Sequence, residues 1–561
     1  MKRLIVCALA LVSMTSILAQ EGNSNRKNDH TFEVTKNLDV FNTIYRELDL
    51  FYVDTLEAQK AIRTAIDAML VSLDPYTVYY PEEEMGDLKM MTTGKYGGIG
   101  SVIRMRKDST VIIAEPYENM PAAEVGLQVG DVLLQIDDTD LKGKNVEEVS
   151  NMLRGEPGTT FTIKAMRPGQ SKPTTYKITR RNIKLPDLEY QGMIADKVGY
   201  ILLTGFTENC SQDVRKAVIS LKEEGAERIV IDLRGNGGGL LQEAVNIVNL
   251  FVPKGLEIVN VRGKVKASSS VYKTMSAPLD LDIPLVVMVD GNTASAAEIV
   301  AGSLQDLDRA VVIGTRTYGK GLVQVSRNLP YHGSLKLTTS KYYIPSGRCI
   351  QAIDYKRRRE GKGKSDGLLP DSLAKVYHTA GGREVRDGRG IKPDVELKHD
   401  TLANILFYLS NSDVIVDYGT RYVQSHTQPA SVAEFTLTDQ DFEDLKQMAI
   451  SSGFKYDRFS ENLLKELKVL AEFEGYYNGA KTEFEALEKK LQHNLDLEFN
   501  HFKKDIMSIM RQEIVKRWFF QRGVSEERLK DDPDAIEAIK ILNDLPRYHS
   551  ILAPTGIEKQ D

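Results

Sequence analysis

The sequence predicts a multidomain protein that combines an α/β core, built on a mixed sheet, with a small β domain and helical segments at both ends. Three observations lead to this fold class. Short β-rich runs fill residues 95–182, strand-like and helical runs alternate over residues 184–397, and helical spacing dominates residues 32–92 and 400–561. Alternation of strands and helices is typical of an α/β core, whereas strands separated only by turns indicate a distinct β domain.

The composition is that of an ordinary globular protein. Of 561 residues, 42% are hydrophobic and 27% are charged, which excludes extensive disorder and a protein with many membrane spans. At roughly 150 residues per domain, the length predicts three to four domains. Lys and Arg number 73 against 79 Asp and Glu, a net charge of -6, so we predict no nucleic-acid partner.

The cysteines argue against a disulfide framework and against a zinc site. Cys7, Cys210 and Cys349 are too few and too far apart for either. The chain also has no His-Glu-x-x-His motif, and we predict neither a metal nor a cofactor. Cys210 and Cys349 form either one disulfide or two buried thiols, and burial is the commoner outcome.

Residues 1–19 have the layout of a secretory signal peptide. Two positive charges precede the apolar run of residues 4–12, and the mostly small residues that follow end at Ala19. The apolar run is about half of the ~20 residues that a membrane-spanning helix requires, so a retained anchor is the less favoured interpretation. We predict cleavage after Ala19 and export to the periplasm, with or without association with the cell envelope.

The two ends of the chain predict helices. In residues 32–92, Phe41, Ile44 and Leu48 recur at spacings of three and four, which places them on one helix face. In residues 400–561, charged heptad-like stretches indicate helices with solvated faces. For this last segment a helical scaffold or an oligomerisation surface is the favoured interpretation, and a docking site for an adaptor is the alternative.

The middle of the chain predicts strands in two settings. Residues 95–182 hold strands separated by turns, with one helical stretch at residues 146–153. Residues 184–397 alternate strands with helical runs. The predicted strands are residues 101–105, 111–114, 132–136 and 161–166 in the β domain, and residues 198–203, 228–233, 285–289 and 310–313 in the core.

Two glycine-rich stretches match nucleotide-binding loops only in part. Residues 314–321 follow a strand and end in Gly-Lys-Gly, but Gly321 stands where a P-loop has Ser or Thr, and a strand follows where a helix is needed. Residues 235–240 follow a strand and open a helix, but Leu240 replaces the third glycine of a dinucleotide loop. A nucleotide hydrolase is therefore the third-ranked function.

Ser295 lies between the predicted strand at residues 285–289 and a helical run at residues 299–307. A serine at such a turn is near free backbone N–H groups and the positive end of the helix dipole, both of which favour a developing oxyanion. On this observation alone a helix N-cap is the favoured interpretation, because serine is common at helix starts.

Lys320 and Gln324 favour a catalytic role for Ser295 over a helix N-cap. Lys320 lies 25 residues after Ser295, in a glycine-flanked turn beyond the next strand, so adjacent parallel strands bring the two residues to one edge of the sheet. A lysine can act as a general base where burial lowers its pKa from about 10.4 towards neutrality. Gln324 lies four residues further along an extended segment, on the same face as Lys320, where a neutral amide orients the amine without holding its proton.

Several motifs, in one order, resemble those of the carboxyl-terminal processing proteases, also called tail-specific proteases. Thr-Ala-Ser-Ala-Ala-Glu at residues 293–298 and Tyr-Gly-Lys-Gly at residues 318–321, with Gln324, resemble the active-site signature of that family. Asp-Leu-Arg-Gly-Asn-Gly-Gly-Gly at residues 232–239 resembles its Asp-Leu-Arg-Asn-Asn-Pro-Gly-Gly loop, although glycine stands here at two of its positions. Further matches lie at residues 73–76, 343–348 and 390–394.

The resemblance covers about residues 35–397 and implies a metal-independent serine endopeptidase with its catalytic core in residues 184–397. It implies that Ser295 is the nucleophile, that Lys320 is the general base, and that Gln324 orients the lysine. The reaction would pass through an acyl-enzyme. This Ser-Lys pair would replace the histidine base of other serine peptidases.

The resemblance also implies an oxyanion hole made of backbone donors. These would be the N–H of Ala296 and an N–H of the turn formed by Gly237 and Gly238, and the choice between the two glycines stays open. Backbone donors are fixed before the reaction begins, and the loss of one typically lowers the rate 10²–10³-fold.

The β domain, residues 95–182, is similar to the PDZ domain that these proteases carry. Its loop Gly97-Gly98-Ile99-Gly100 would take a chain-terminal carboxylate on backbone N–H groups, and residues 101–105 would offer an edge strand to the peptide. A β domain that only packs on the core is the alternative. The predicted apolar wall of the groove consists of Val146, Val149 and Leu153.

Together these residues predict an exported endopeptidase that recognises the carboxyl-terminal tails of proteins or peptides through a PDZ domain and cleaves them. The alternative from another class is a non-catalytic scaffold that holds such tails without cutting them.

Overall fold

The computed structural model describes residues 30–554 except residues 362–367, 369–370, 399–401 and 492–493. The predicted signal peptide and Cys7 lie outside the described residues. The chain divides into two compact units, Met1–Tyr79 and Tyr80–Asp561.

The first unit is helical, as the apolar spacing predicts. Its helices are α1 (residues 30–51) and α2 (Ala58–Val71), and the short strand β1 (Val78–Tyr80) follows them. Phe41, Ile44 and Leu48 lie on one face of α1 and are about half exposed. The helical prediction for the start of the chain is therefore confirmed, although β1 interrupts it.

The second unit begins with one helix, α3 (Met85–Thr93), and the predicted β domain. The elements of that domain are β2 (Lys95–Gly98), β3 (Ser101–Met105), β4 (Val111–Pro116), α4 (Pro121–Glu124), β5 (Val132–Ile136), β6 (Thr139–Asp140), α5 (Val146–Leu153), β7 (Thr160–Met166), β8 (Thr174–Thr179) and β9 (Arg181–Lys184). An antiparallel sheet runs in the order β3-β4-β5-β7-β8, so β3 is an edge strand. Ile113, Val149 and Ile163 are fully buried in the core of the domain.

The α/β core is a six-stranded mixed sheet. Its elements are β10 (Leu188–Ala195), β11 (Val198–Leu203), α6 (Cys210–Glu223), β12 (Arg228–Asp232), α7 (Leu241–Val248), β15 (Leu285–Val289), α8 (Ala296–Asp306), β16 (Val311–Gly314) and β21 (Val395–Glu396). The order is β10-β11-β12-β15-β16-β21, and only β10 pairs antiparallel. Successive strand residues point to opposite faces. Thus Ile229 and Ile231 pack among residues of α6, α7 and α8, while Val230 lies on the other face.

A second sheet is antiparallel, and its strands come between elements of the core in the sequence. It contains β13 (Glu257–Gly263), β14 (Ser270–Lys273), β17 (Leu322–Asn328) and β18 (Ser334–Tyr343); helix α9 (Tyr355–Arg359) and the hairpin of β19 (Val376–His378) and β20 (Glu384–Arg386) follow. Strand β17 begins directly after the turn that holds Lys320, as the sequence predicts. This observation excludes the helix that a P-loop requires after its lysine.

Helices form the last part of the chain. They are α10 (Asn404–Ser410), α11 (Asp413–Ser425), α12 (Asp439–Ser451), α13 (Phe459–Phe473), α14 (Lys481–Leu491), α15 (Leu495–His501), α16 (Lys503–Leu529), α17 (Pro533–Asn543) and α18 (Leu545–Leu552). Asn494 is the N-cap of α15, because its side chain accepts a hydrogen bond from Leu497 N–H.

The helical region contacts both other parts of the second unit. Arg106 of the β domain donates two hydrogen bonds, of 2.7 and 2.8 Å, to the carboxylate of Asp417 on α11. On the core sheet, Ala535 and Ala538 of α17 pack in one cluster with Val230. The apolar stripe of α17 therefore covers the sheet face opposite α6, α7 and α8.

The remaining predictions concern cysteines, metals and membranes. Cys210 is buried, Cys349 is half-buried, and both are free thiols, so the disulfide alternative is wrong. Burial raises the pKa of both thiols. Within the described ranges, no group of three His, Cys, Asp or Glu side chains is arranged to hold a metal ion. The helices that the structure describes include none long and apolar enough to cross a bilayer.

Candidate active site

Ser295 lies in a strained turn between a buried strand and a buried helix. Its φ and ψ angles are 58° and -116°, a region that is costly for any residue with a Cβ and that persists only where the surroundings fix it. Thr293 fixes the turn, because its hydroxyl donates to Leu233 O at 2.8 Å and its N–H donates to Asp290 Oδ1 at 2.9 Å. The serine is therefore held at the start of α8, where the sequence places it.

Glu298 joins the turn of Ser295 to the turn of Lys320. Its Oε2 accepts hydrogen bonds from the N–H groups of Ser295 at 2.9 Å and of Lys320 at 2.8 Å. Its Oε1 accepts from Gly319 N–H at 2.7 Å and from the Thr317 hydroxyl at 2.6 Å. Burial raises the pKa of Glu298, and these four donors act against the rise. One oxygen atom thus binds the backbones of both predicted catalytic residues.

Tyr342 makes a second connection between the same two turns. Its hydroxyl donates to Lys320 O at 2.8 Å and to Ser295 O at 3.1 Å. Burial raises the pKa of Tyr342 well above its ordinary value, so the phenol stays protonated and remains a donor. Glu298 and Tyr342 therefore fix both the N–H and the C=O groups of the two turns.

A cavity of about 430 Å³ opens at these turns. Among its lining residues are Ser295, Lys320 and Gln324, so the structure brings the predicted nucleophile, base and orienting amide together. Gln324 Nε2 donates to Thr338 Oγ1 at 3.2 Å. A second lysine, Lys336, also lines the cavity. The cavity therefore contains two lysine side chains, and burial lowers the pKa of Lys336.

The glycine turn lies against Ser295. A Cβ on Gly238 would stand 2.8 Å from Ser295 Cβ and 2.9 Å from Ala296 N, and its φ is +94°. Its N–H donates to Asn236 Oδ1 at 2.8 Å. Within the part of the chain that the structure describes, the N–H groups of Ala296 and Gly237 have no acceptor. The turn thus places backbone donors beside the serine.

The loop of the β domain borders a separate cavity of about 160 Å³. Gly98 and Ile99 line it together with Ser101 to Ile103 of edge strand β3. Gly97 and Gly100 lie beside this cavity but not on it; Gly97 O accepts a hydrogen bond from Gly155 N–H at 3.1 Å. Gly98 and Ile99 thus border the cavity beside edge strand β3, but Gly97 and Gly98 belong to strand β2, which pairs with β9. The role of residues 97–100 in binding a carboxylate stays a prediction.

The predicted wall of this groove is correct only in part. Leu153 lines the cavity, with Ser150 and Arg154 of the same region. Val149 is fully buried in the core of the β domain, and Val146 packs against that core. Val149 and Leu153 are four residues apart, so they lie on the same face of α5, the face that packs on the sheet. Leu153 is the last residue of the helix and also lines the cavity.

Sequence reasoning missed the roles of Glu298 and Tyr342. Glu298 is three residues after Ser295, the spacing of a capping box, which would have indicated its bond to the Ser295 N–H. No sequence signal connects it to Gly319 and Lys320. Tyr342 lies on β18, and only the pairing of that strand with β17 brings it to the site.

Comparisons with known proteins match three parts of the chain. A family model described as peptidase family S41 matches residues 197–357, and a PDZ-domain model matches residues 112–167. A model described as the C-terminal helical domain of a probable PDZ-protease matches residues 405–542. The resemblance predicted from the motifs ends near residue 397, and this last match lies beyond it.

Curated relatives agree with these models. A carboxy-terminal-processing protease of Bartonella bacilliformis is 35% identical over 352 residues, which are 62% of this chain and 79% of that protein. A probable CtpA-like serine protease of Staphylococcus epidermidis is 30% identical over 384 residues, 67% of this chain and 76% of the relative. The solved photosystem II D1 C-terminal processing protease is 26% identical, covers 64% of this chain and 86% of its own, and has a TM-score of 0.35.

The fold and the site define a serine-type peptidase with a PDZ domain and a C-terminal helical domain. The chain belongs to peptidase family S41. The family resemblance predicted from the motifs is thereby confirmed.

Proposed function

We propose that this peptidase cleaves the carboxyl-terminal tails of protein substrates with Ser295 as nucleophile and Lys320 as general base. The observation that carries the proposal is the double connection made by Glu298 and Tyr342, which fixes the turns of Ser295 and Lys320 at one cavity. Preorganised geometry of this kind is a large part of enzymatic rate enhancement.

In the first step, Ser295 Oγ attacks the scissile carbonyl carbon and its proton passes to the neutral amine of Lys320. The tetrahedral intermediate then collapses, and the new lysine ammonium gives its proton to the departing amine of the C-terminal fragment. The N-terminal fragment stays on Ser295 as an ester. Water, activated by the same amine, hydrolyses that ester and restores the serine.

The oxyanion of each tetrahedral intermediate needs donors that are fixed in advance. We assign this role to the N–H of Ala296 and to an N–H of the turn formed by Gly237 and Gly238. The unused N–H groups of Ala296 and Gly237, and the close approach of Gly238 to Ser295, support the assignment. Gln324 orients the Lys320 amine from the adjoining strand, and its neutral amide leaves the amine free to lose its proton.

The PDZ domain supplies the tail specificity in this proposal. The N–H groups of the loop Gly97-Gly98-Ile99-Gly100 take the terminal carboxylate, and the peptide pairs with edge strand β3. The cavity at Gly98, Ile99 and Leu153 supports this binding mode. The name of the similar Bartonella protein, a carboxy-terminal-processing protease, supports action at carboxyl termini.

Two further proposals concern the setting of the reaction. The signal-like residues 1–19 support export to the periplasm. We also propose that the C-terminal helices bind an adaptor or a second copy of the chain. The exposed apolar side chains of Phe459, Leu463 and Phe473 on α13 support this proposal.

The proposal is tested by digesting a loosely folded protein that ends in an apolar tail and analysing the products by mass spectrometry. Cleavage should occur near the tail, and conversion of the terminal carboxylate to an amide should raise KM about tenfold or more, because the loop N–H groups lose a charged acceptor. Binding of the intact tail without products over long incubation would favour the scaffold alternative. Equal KM values for the acid and the amide would contradict the proposal that the PDZ domain binds the terminal carboxylate.

Glu298→Gln should lower kcat by about 10²-fold, because displacement of reacting groups by about 1 Å costs a factor of this size. The amide NH₂ of glutamine cannot accept hydrogen bonds, so two buried donors lose their acceptor, and the free energy of unfolding should fall by about 1–3 kcal/mol. Peptide-cleavage kinetics and thermal denaturation measure the two effects. Glu223→Gln, exposed on α6, is the control. A folded Glu298→Gln enzyme with wild-type kcat would contradict the role of Glu298.

Gly238→Ala should lower kcat by at least about 10²-fold, the size of effect seen when an oxyanion donor is lost. The new Cβ would collide with Ser295 Cβ and Ala296 N, and the positive φ adds backbone strain. Gly479→Ala is the control, because a Cβ there meets nothing within 4 Å and the residue lies outside the glycine turn. Both variants are compared in the same cleavage assay. Equal activities would show that the turn does not need this close approach.

A further inference from the structure

The glycine turn has a charged anchor directly before it. Arg234 lies between the end of β12 and Gly235, and its guanidinium donates to Asp232 from Nε at 3.0 Å and from Nη2 at 2.6 Å. Asp232 is itself held by the Tyr200 hydroxyl at 2.6 Å. Arg234 thus links Asp232, at the end of the buried strand β12, to the glycine turn that lies against Ser295.

The other side of the guanidinium faces the C-terminal helical domain. Asp532 accepts from Nη1 at 3.1 Å and from Nη2 at 2.5 Å, the two-point geometry of a strong arginine–carboxylate pair. Asp534 accepts from Nη1 at 3.1 Å. The side chains of Asp532 and Asp534 are 5% and 3% exposed, whereas that of Arg234 is 22% exposed, so both carboxylates are buried where α17 meets the core.

The position of the two carboxylates is itself fixed. Asp532 is the N-cap of α17 and accepts from Asp534 N–H at 2.9 Å and Ala535 N–H at 3.3 Å. Burial acts to raise the pKa of Asp532, but the hydrogen bonds and charge of Arg234 outweigh it and hold the pKa below its ordinary value. Because α17 packs on the core sheet, the cap is anchored to the layer that carries β12 and β15.

We infer that Asp532 and Asp534 are positioning residues for the peptidase reaction, acting through Arg234 on the glycine turn. The turn contains four glycines in residues 235–239, and Asn236 is the one residue there with a side chain longer than hydrogen. Glycines leave the backbone of such a segment wide conformational freedom, so its shape depends on what holds it. Gly235 N–H donates to Asp290 Oδ1 at 2.9 Å and Asn236 O accepts from Ala294 N–H at 2.9 Å, and Arg234 adds the connection to the C-terminal helical domain. The C-terminal helical domain therefore completes the site that the core begins. This inference rests on the proposed oxyanion role of the turn.

The test compares Asp532→Asn and the double variant Asp532→Asn/Asp534→Asn with the wild-type full chain. We expect kcat to fall about 10-fold and 10²-fold, respectively, with little change in KM, since the turn contacts the reacting carbonyl and not the tail. The inhibition constant of a peptide aldehyde, which forms a hemiacetal with Ser295, should rise by similar factors. Glu537→Gln is the control on the same helix, where the carboxylate pairs with Arg547 at 2.8 Å.

A double-mutant cycle shows whether the aspartates act through Arg234. Asp532→Asn should add little to the loss caused by Arg234→Lys, whereas independent, additive losses would overturn the inference. If the double variant does not fold, Asp534→Asn alone carries the same test through its hydrogen bond with Arg234 Nη1. Folded aspartate variants with wild-type kcat and wild-type aldehyde inhibition would also overturn it. A wild-type chain that neither cleaves tails nor binds the aldehyde would refute the proposed function instead.

Discussion

Ser295→Ala should reduce cleavage of a tailed substrate at least about 10³-fold, to the residual rate left by binding and oxyanion stabilisation. The variant removes the only atom that forms the ester with the substrate in the proposed reaction. It also leaves Glu298 bound to the backbone N–H of residue 295, so the fold of the site should be retained. Thermal denaturation and a gel-based cleavage assay measure the two properties.

The control for this variant is Ser326→Ala, because Ser326 lines the same cavity from β17. Its activity should stay within a few-fold of wild type. A metal chelator should leave the wild-type rate unchanged, since no step of the proposed reaction uses a metal. Full activity of Ser295→Ala would end the assignment of the nucleophile.

Lys320→Arg should be as inactive as Ser295→Ala. A guanidinium keeps its proton at any accessible pH, so it cannot accept the serine proton even though its charge and length are similar to those of lysine. In the wild type, the rate should rise with pH through a single ionisation as the amine loses its proton, and it should hold into alkaline conditions. Steady-state kinetics across the pH range measure both.

Lys336→Met is the matched control, because Lys336 lines the same cavity and burial lowers its pKa. The two lysines differ in how they are held: the backbone of Lys320 is bound by Glu298 and Tyr342, the same residues that hold Ser295. We therefore expect Lys336→Met to keep the wild-type kcat and pH dependence. If Lys336→Met were inactive and Lys320→Arg were active, the general base would be Lys336 and not Lys320.

The sequence predicts the local features of the site well because they depend on short stretches. Strand β15, the turn at Ser295 and helix α8 follow from one apolar run and one polar turn. Because β15 and β16 pair in parallel, the turn of Lys320 after β16 lies at the same edge of the sheet as the turn of Ser295 after β15.

The contacts that fix the site depend on pairings that one sequence does not reveal. Tyr342 reaches the site through the antiparallel pairing of β17 and β18, with a register shift between Val323 and Gln324. Asp532 lies 298 residues from Arg234. A carboxylate near the end of the chain is, by sequence alone, another solvated charge. The interpretation of residues 400–561 as a scaffold therefore missed their contact with Arg234, which directly precedes the glycine turn.

Detection of the acyl-enzyme on Ser295 tests the proposed nucleophile at the reacting atom itself. Wild-type protein is mixed with a short tailed peptide, quenched in acid within the first turnovers, digested and analysed by mass spectrometry. The account predicts that the peptide containing Ser295 gains the mass of the N-terminal substrate fragment less one water, and that Ser295→Ala shows no such adduct. An adduct on another residue, or rapid cleavage with no adduct when deacylation is made limiting, would contradict it.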